Sequence, residues 1–369
     1  MNDRVAVYML DVGQGDSTVV LLPDARVVIF DCADDHVLRA LLDGWNTRTI
    51  AAFVLSHLDQ DHIAGALQFL KGWPHRIEAV YLSVDRDISG DHEEAKRAKQ
   101  LVDHVKEESR ERDARRRSWE LLPSTRDPRP LASGPDWSVT LLAPAHGQVV
   151  QREREGEWED ANRYSSILRV QAGGKAMLIG GDAPLLSWSE LPPEELKAEV
   201  FRIPHHGGAL DDGGVPPGWA TDRLYSEVGA TTALISVGTN NAHGHPREEW
   251  IEPIAGGRCR LLCTQVTPRC HGPLEITGSD GRKARDPGEI ALQRARVITE
   301  HNQWTEPQYR HLTDKRRQVA RGLLEVPCAG TVVVKMYLDG RVEIVPVPGG
   351  GHEGVVDDWE RPLCRPPDE

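Results

Sequence analysis

The chain has 369 residues, 39% of them hydrophobic, and a formal net charge of −13. It is long enough to bury a substantial core. Its acidity argues against a surface that grips polyanions over its whole extent, and it suits a site for cations.

The opening, MNDRVAVYML, carries charge at Asp3 and Arg4 and lacks the apolar core of a secretory signal. No run approaches the roughly 18 apolar residues of a membrane span. The expectation is a cytoplasmic protein without membrane association. Its six cysteines then read as thiols or metal ligands, not as a disulfide framework. RVAVYML (4–10), STVVLL (17–22) and RVVIF (26–30) predict strands separated by turn-rich stretches. HVLRALL (36–42) predicts a helix, AAFVL (51–55) a strand, IAGALQFLKGW a helical stretch and IEAVYL (77–82) another strand. Residues 91–119 are densely charged and predict a solvent-exposed, protruding helical insertion. Its basic residues are interleaved with acids, so a solvated, ion-paired face explains them better than a track for a nucleic-acid backbone. WSVTLL (137–142), SILRVQ (166–171), KAMLIG (175–180), VFRI (200–203), ATTALISV (230–237) and RLLC (260–263) predict further strands. Strands interleaved with helices, opening on a meander, predict an α/β sandwich of two mixed sheets flanked by helices.

The predicted domain spans residues 1–253. A C-terminal extension, 254–347, carries most of the cysteines and ends in TVVVKMYLDGRVEIVPV, a hairpin turning at Asp339-Gly340. Residues 348–369 are rich in Gly, Pro and acids and predict a loose tail. Cys263, Cys270, His271 and Cys328 are candidates for one structural zinc ion. Buried free thiols are the plainer reading, because no Cys-x2-Cys pair is present.

Chemistry gathers where apolar runs end. SHLDQDH (56–62) places His57, Asp59, Asp61 and His62 directly after a strand. Imidazole and carboxylate are ligands for divalent Zn, Mn or Fe. Asp59 or Asp61 capping the next helix is the bland alternative, but capping does not require the histidines. DVGQGDS (11–17), GGD (180–182), IPHHGG (203–208) and ISVGTNNAHGHP (235–246) follow other apolar runs in the same way. Asp11, Gln14 and Asp16 either shape the rim of a site or belong to a tight turn made by Gly13 and Gly15. Asp31 either supports a ligand or forms a strand-end Asx turn. Asn162 and Ser166 are candidate substrate or supporting contacts, or an ordinary loop before a strand.

These motifs together resemble the metallo-β-lactamase fold hydrolases. More closely they resemble the hydrolase domain of the ComEC-like DNA-uptake competence channel proteins. That branch has DVGQGDS, SHxDxDH, an Asn-x-x-Ser segment, a GD strand end, HHGS and SVGxN…GHP. Here these stand as DVGQGDS, SHLDQDH, NRYSS (162–166), GGD, HHGG and SVGTNNAHGHP. The resemblance implies two divalent ions, Zn²⁺ or Mn²⁺ with Mg²⁺ as a further candidate. It implies His57 and Asp59 on one ion, Asp61 and His62 on the other, Asp182 between them and His205 as the last ligand. His206 and His245 become candidates for charge stabilisation or protonation of the leaving group, and Asp61 for orienting the nucleophile. The wider family usually has His at Asp59 and at Asn162. Gly208 replaces the branch's usual Ser, and His243 stands where an aromatic residue is common.

The implied activity is hydrolysis by a metal-bridged hydroxide, with a nucleic-acid phosphodiester as the leading substrate. A small ester, lactone or phosphorylcholine-like substrate is the second reading. The third is a metal-stabilised binding subunit that recruits a protein partner through the C-terminal extension.

Overall fold

The computed structural model describes residues 3–82, 93–110, 119–123, 130–144, 161–211, 213–238, 241, 243–255, 259–267 and 328–347. The first sheet contains β1 (Arg4–Met9), β2 (Thr18–Leu21), β3 (Val27–Phe30), β4 (Thr49–Leu55), β5 (Arg76–Ile77), β6 (Ala79–Leu82) and β7 (Glu120–Pro123). The second contains β8 (Ala132–Gly134), β9 (Trp137–Ala143), β10 (Ile167–Ala172), β11 (Lys175–Ile179), β12 (Val200–Arg202), β13 (Thr232–Ile235) and β14 (Arg260–Cys263). β15 (Thr331–Tyr337) and β16 (Val342–Val347) return to the first sheet. The strand orders are β16-β15-β1-β2-β3-β4-β6-β7, with β5 beside β4, and β14-β13-β12-β11-β10-β9-β8. Each sheet is mixed. The first is antiparallel from β16 to β3 and parallel from β3 to β7. The second is antiparallel from β8 to β11 and parallel from β11 to β14.

Both faces of each sheet are covered, so the central strands read as unbroken apolar runs. Along β1, Val5, Val7 and Met9 point into the space between the sheets, where they meet residues such as Leu168, Val170 and Met177. Ala6 and Tyr8 point outward to a layer that includes Leu38, Leu41, Phe69 and Leu70. On the far side, Leu178, Phe201 and Ile235 pack with Trp188, Leu224 and Trp250. The result is the predicted order of helices, sheet, sheet and helices.

Two expectations change. Within the charged insertion, helix Glu93–Arg110 does not protrude: it buries Ala95, Ala98, Leu101, Val102 and Val105. Those positions form a narrow stripe at helical spacing, enough to dock a helix whose other faces are charged. Trp119 pins it by donating its indole N–H to the Val105 carbonyl at 3.3 Å. The second change concerns the C-terminal segment. Residue 253 lies inside helix Glu248–Ala255. Beyond it, β14 lies beside β13, and β15 pairs with β1 from Arg4↔Tyr337 to Met9↔Val332. These strands therefore belong to the sandwich itself. The hairpin turn forms where expected, with the Tyr337 N–H donating to the Arg341 carbonyl at 2.9 Å and Gly340 at φ 89°. Among the described residues no helix is long and apolar enough to cross a membrane.

Candidate metal centre

The C-terminal ends of β1, β3 and β4 meet those of β11, β12 and β13 at one edge. Backbone contacts fix that meeting. The Asp16 N–H donates to the Asp61 carbonyl at 2.8 Å, and the Ser236 hydroxyl donates to the Gly15 carbonyl at 2.7 Å. The Gly238 N–H donates to Gln14 Oε1 at 3.1 Å. A Cβ at Gly15 would lie 2.7 Å from the Asp61 carbonyl oxygen, so only glycine permits this approach. Gln14 thus ties the loop after β1 to the loop after β13.

Asp182 sits at the centre and is nearly fully buried. Its Oδ1 faces His62 Nε2 at 3.2 Å and His206 Nε2 at 4.0 Å. Its Oδ2 faces His57 Nε2 and His205 Nε2, each at 3.8 Å. Asp59 Oδ2 lies 3.6 Å from His57 Nε2, and Asp61 Oδ2 lies 3.3 Å from His206 Nε2. The carboxylate therefore divides the edge into two half-sites. One holds His57, Asp59 and His205, and the other holds His62, Asp61 and His206.

The other ring nitrogens decide the tautomers. His205 Nδ1 is 2.8 Å from the Ala209 carbonyl, and His206 Nδ1 is 2.8 Å from the Ser236 carbonyl. A carbonyl only accepts, so each Nδ1 carries the proton. His62 Nδ1 donates to Asp31 Oδ2 at 2.8 Å. The Ser56 hydroxyl gives its proton to Asp31 at 2.7 Å, so its oxygen accepts from His57 Nδ1 at 3.0 Å. With Nδ1 committed in this way, each of the four rings presents Nε2 to Asp182 as the atom that can ligate a cation. The Nε2 atoms of His57, His62 and His206, together with Asp182 Oδ1, are buried and have no hydrogen-bond partner among the described residues. Buried polar atoms are rarely left in this state. Converging lone pairs with no donor to meet them fit a cation.

Electrostatics agree with the geometry. Burial pushes the Asp182 carboxyl up, but His62, His206 and His57 outweigh it and hold the group well below the usual carboxylate range. Burial pushes His62 down, whereas Asp182 and Asp31 hold it well above its ordinary value. For Asp61, burial pushes the carboxyl up, but the nearby His206 and His62 outweigh it and hold the group below the usual carboxylate range.

The backbone also serves the site. Asp31, His205 and His206 have φ of 63°, 54° and 53°. Non-glycine residues rarely hold this left-handed conformation, and its cost recurs at functional sites. Asp59 is the N-cap residue of helix Gln60–Ile63, but its side chain makes no capping hydrogen bond. It remains available to the half-site.

Other expected residues fall elsewhere. Asp11 turns away: its N–H donates to Thr331 Oγ1 at 3.0 Å and its Oδ1 accepts from Gln265 at 2.7 Å. It anchors the C-terminal segment and not the rim. Asp16 is buried beside the site and paired with Arg202. Asp31 accepts hydrogen bonds from Ser56 N, Ser56 Oγ and His62 Nδ1. Asn162 lies in the short turn Ala161–Tyr164. Ser166 is buried at the start of β10, but its neighbour Ser165 makes the contact, accepting the Asp182 N–H at 2.8 Å. His243 is exposed and its ring lies 5.5 Å from that of His245. His245 is buried, 5.5 Å from the His205 ring. A Cβ at Gly208 would lie 2.5 Å from His245 Cε1. The absence of a serine there makes room for this imidazole. Ser56, Ser165, Arg202 and Ser236 were not singled out from the sequence. Of these, Ser56, Ser165 and Ser236 lay inside the motifs SHLDQDH, NRYSS and SVGTNNAHGHP, whereas Arg202 carried no signal. Cys263 and Cys328 are buried on adjoining segments, where the Ala329 N–H donates to the Cys263 carbonyl at 2.9 Å. Cys270 and His271, the remaining members of the candidate zinc set, lie outside the described residues.

Residues 10–147 match the family model described as the metallo-beta-lactamase superfamily. The chain carries a metallo-beta-lactamase superfamily domain. Its two mixed sheets flanked by helices are the metallo-beta-lactamase fold. The chain is 23% identical over 280 residues to "ComE operon protein 3" of Bacillus subtilis (strain 168), a match covering 70% of this chain and 31% of that protein. It is 30% identical over 130 residues to "Competence protein ComA" of Neisseria gonorrhoeae, covering 34% of this chain and 17% of that protein. The matches thus span about a third or less of each curated relative. Among solved structures, a protein of Parabacteroides distasonis ATCC 8503 described as a metal-dependent hydrolase aligns with a TM-score of 0.35 and 10% identity, covering 69% of this chain and 91% of that one. The metallo-beta-lactamase superfamily is one of metal-dependent hydrolases, and its domain here contains a buried His/Asp cluster able to hold a metal ion.

Proposed function

We propose that this protein is a dinuclear metal-dependent phosphodiesterase that cleaves nucleic acid. The observation that carries the proposal is the division of four Nε2 lone pairs between the two oxygens of Asp182. His57, Asp59 and His205 would hold one divalent ion, His62, Asp61 and His206 the other, and Asp182 would serve both. His205 then takes the place left by Asn162, where the wider family usually has a histidine ligand. His206 becomes a ligand as well. Its Nδ1 proton is committed to the Ser236 carbonyl, so it has no proton for a leaving group.

Such ions would supply positive charge and Lewis acidity at this edge of the sandwich. Three carboxylates, Asp59, Asp61 and Asp182, stand against four positive charges, leaving a net cationic centre suited to a phosphodiester anion. The mixture of oxygen and nitrogen donors admits Mn²⁺ and Mg²⁺ beside Zn²⁺. His245 contributes a different function. Burial, with His205 next to it, lowers its pKa to about 4, so the ring is neutral at neutral pH. Its buried Nδ1 has no hydrogen-bond partner among the described residues. A neutral imidazole there orients a substrate oxygen by hydrogen bonding. The resemblance to the DNA-uptake competence branch supports nucleic acid as the substrate.

The test is cleavage of labelled single- and double-stranded DNA and RNA by metal-stripped protein resupplied with Mn²⁺, Mg²⁺ or Zn²⁺. An Asp61→Ala/His62→Ala double variant controls for contamination. Metal-dependent cutting that is lost in the variant is the expected result. Two tightly bound ions without cutting in any condition would move the substrate to a small ester.

A further inference from the structure

Arg202 was not anticipated as a site residue, yet it occupies a decisive place. It is the last residue of β12, three positions before His205, and is 2% exposed. Its Nη2 pairs with Oδ1 of Asp16, which is 1% exposed and comes from the other sheet's loop. Its Nε and Nη1 have no hydrogen-bond partner among the described residues. Asp16 is the anion that offsets this buried guanidinium.

Asp16 is also within reach of the metal centre. Ligand atoms of Asp16, His62, Asp182 and His206 all lie within 4.8 Å of one another, and all four residues are buried. Asp16 Oδ2 stands 3.8 Å from His62 Nδ1, whereas Asp182 Oδ1 faces Nε2 of the same ring. A free carboxylate in this position is a competing ligand for the ion at His62. Paired with Arg202, it has one of its oxygens taken up by the guanidinium.

We propose that Arg202 is a positioning residue that withholds Asp16 from the half-site of Asp61, His62 and His206, keeping the centre net cationic. This rests on the dinuclear reading and goes beyond it, because a residue outside the ligand set then determines which carboxylates the ions meet. The same ion pair joins β12 to the loop after β1, tying the two sheets together beside the centre.

The full chain, stripped of metal and titrated with Mn²⁺ alone, tests the proposal through ion count, affinity and electron paramagnetic resonance, with thermal unfolding followed in parallel. Arg202→Met is expected to free Asp16, tighten one Mn²⁺ by roughly tenfold and change its spectrum, while kcat falls. Adding Asp16→Asn to Arg202→Met is expected to restore the wild-type affinity and spectrum, and Arg202→Lys to retain them. A merely structural arginine predicts the reverse: weaker binding, and no rescue by Asp16→Asn. That result overturns the proposal, as does unchanged binding in Arg202→Met. Should Arg202→Met not fold, Asp16→Asn and Arg202→Lys decide. Both retain two ions if Asp16 is held away, and loss of an ion in Asp16→Asn makes Asp16 a ligand. Fewer than two ions in the wild-type chain would instead overturn the dinuclear reading itself, before any variant is compared.

Discussion

The two sheets share one plan, an antiparallel meander continued by parallel strands, but they load the common edge differently. The first sheet sends a dense cluster: Asp16, Asp31, His57, Asp59, Asp61 and His62 lie within 46 positions of one another, and the last four share the loop and short helix after β4. The second sends single groups from separate strand ends: Asp182 after β11, His205 and His206 after β12, and His245 after β13. In the proposed dinuclear centre, neither side completes a half-site. His57 and Asp59 need His205, and His62 and Asp61 need His206. Asp182 is needed by both. A centre shared in this way requires the sheets to be packed before it exists, so loading with metal should stabilise the whole sandwich and not one loop.

That division is most easily broken at its midpoint. Asp182→Ala is expected to cost both ions and to lower hydrolysis by roughly 10³-fold, with metal content as the check. Removing one ligand from either side sharpens the comparison. His57→Ala and His206→Ala should each reduce bound metal from two ions to one, and the single ions should have different spectra because they occupy different half-sites. If either variant loses both ions, the half-sites are not separable.

Support from behind should matter less than ligation. Asp31 accepts from Ser56 N and Oγ and from His62 Nδ1. Asp31→Ala is expected to weaken metal binding by about 10- to 100-fold, measured by competition with a chelator, while the ion count stays at two under saturation. Gly208→Ser acts on the second sheet's contribution alone. It forces His245 to shift, so kcat should fall by about tenfold with metal content unchanged.

The smallest effect is one of pH. In the metal-stripped protein, His62 is held above its ordinary value by Asp182 and Asp31 despite burial. Its contribution is complete below about pH 6.5, the value of an unperturbed imidazole. That contribution disappears as pH rises through the higher folded value. Asp182, held low, contributes above the usual carboxylate range and loses that contribution as pH falls through its depressed value. Thermal unfolding should therefore show the stripped protein less stable at alkaline pH than near pH 6.5. The loaded protein should lack this alkaline decline, since a metal ion replaces the proton on His62.

Local pattern determined much of this protein. Apolar runs located most strands, because a strand covered on both faces needs apolar residues at consecutive positions. The clusters after those runs located the first sheet's His and Asp groups at the shared edge and Asp182, because such residue types crowded into a short stretch have few other uses. Tertiary structure alone decided the rest. A stripe of Ala and Leu among charges became a docked helix only because a sheet face was there to receive it. β14, β15 and β16 joined the sandwich because open edges beside β13 and β1 needed partners. The roles of His205 and His206, two adjacent imidazoles of identical chemistry, were set by the left-handed backbone that points them at opposite oxygens of one aspartate. Arg202 and Asp16, 186 positions apart, became a pair only when the sheets closed. Sequence proximity reports which groups a loop can carry, but which atom faces which is fixed by the packing that buries them.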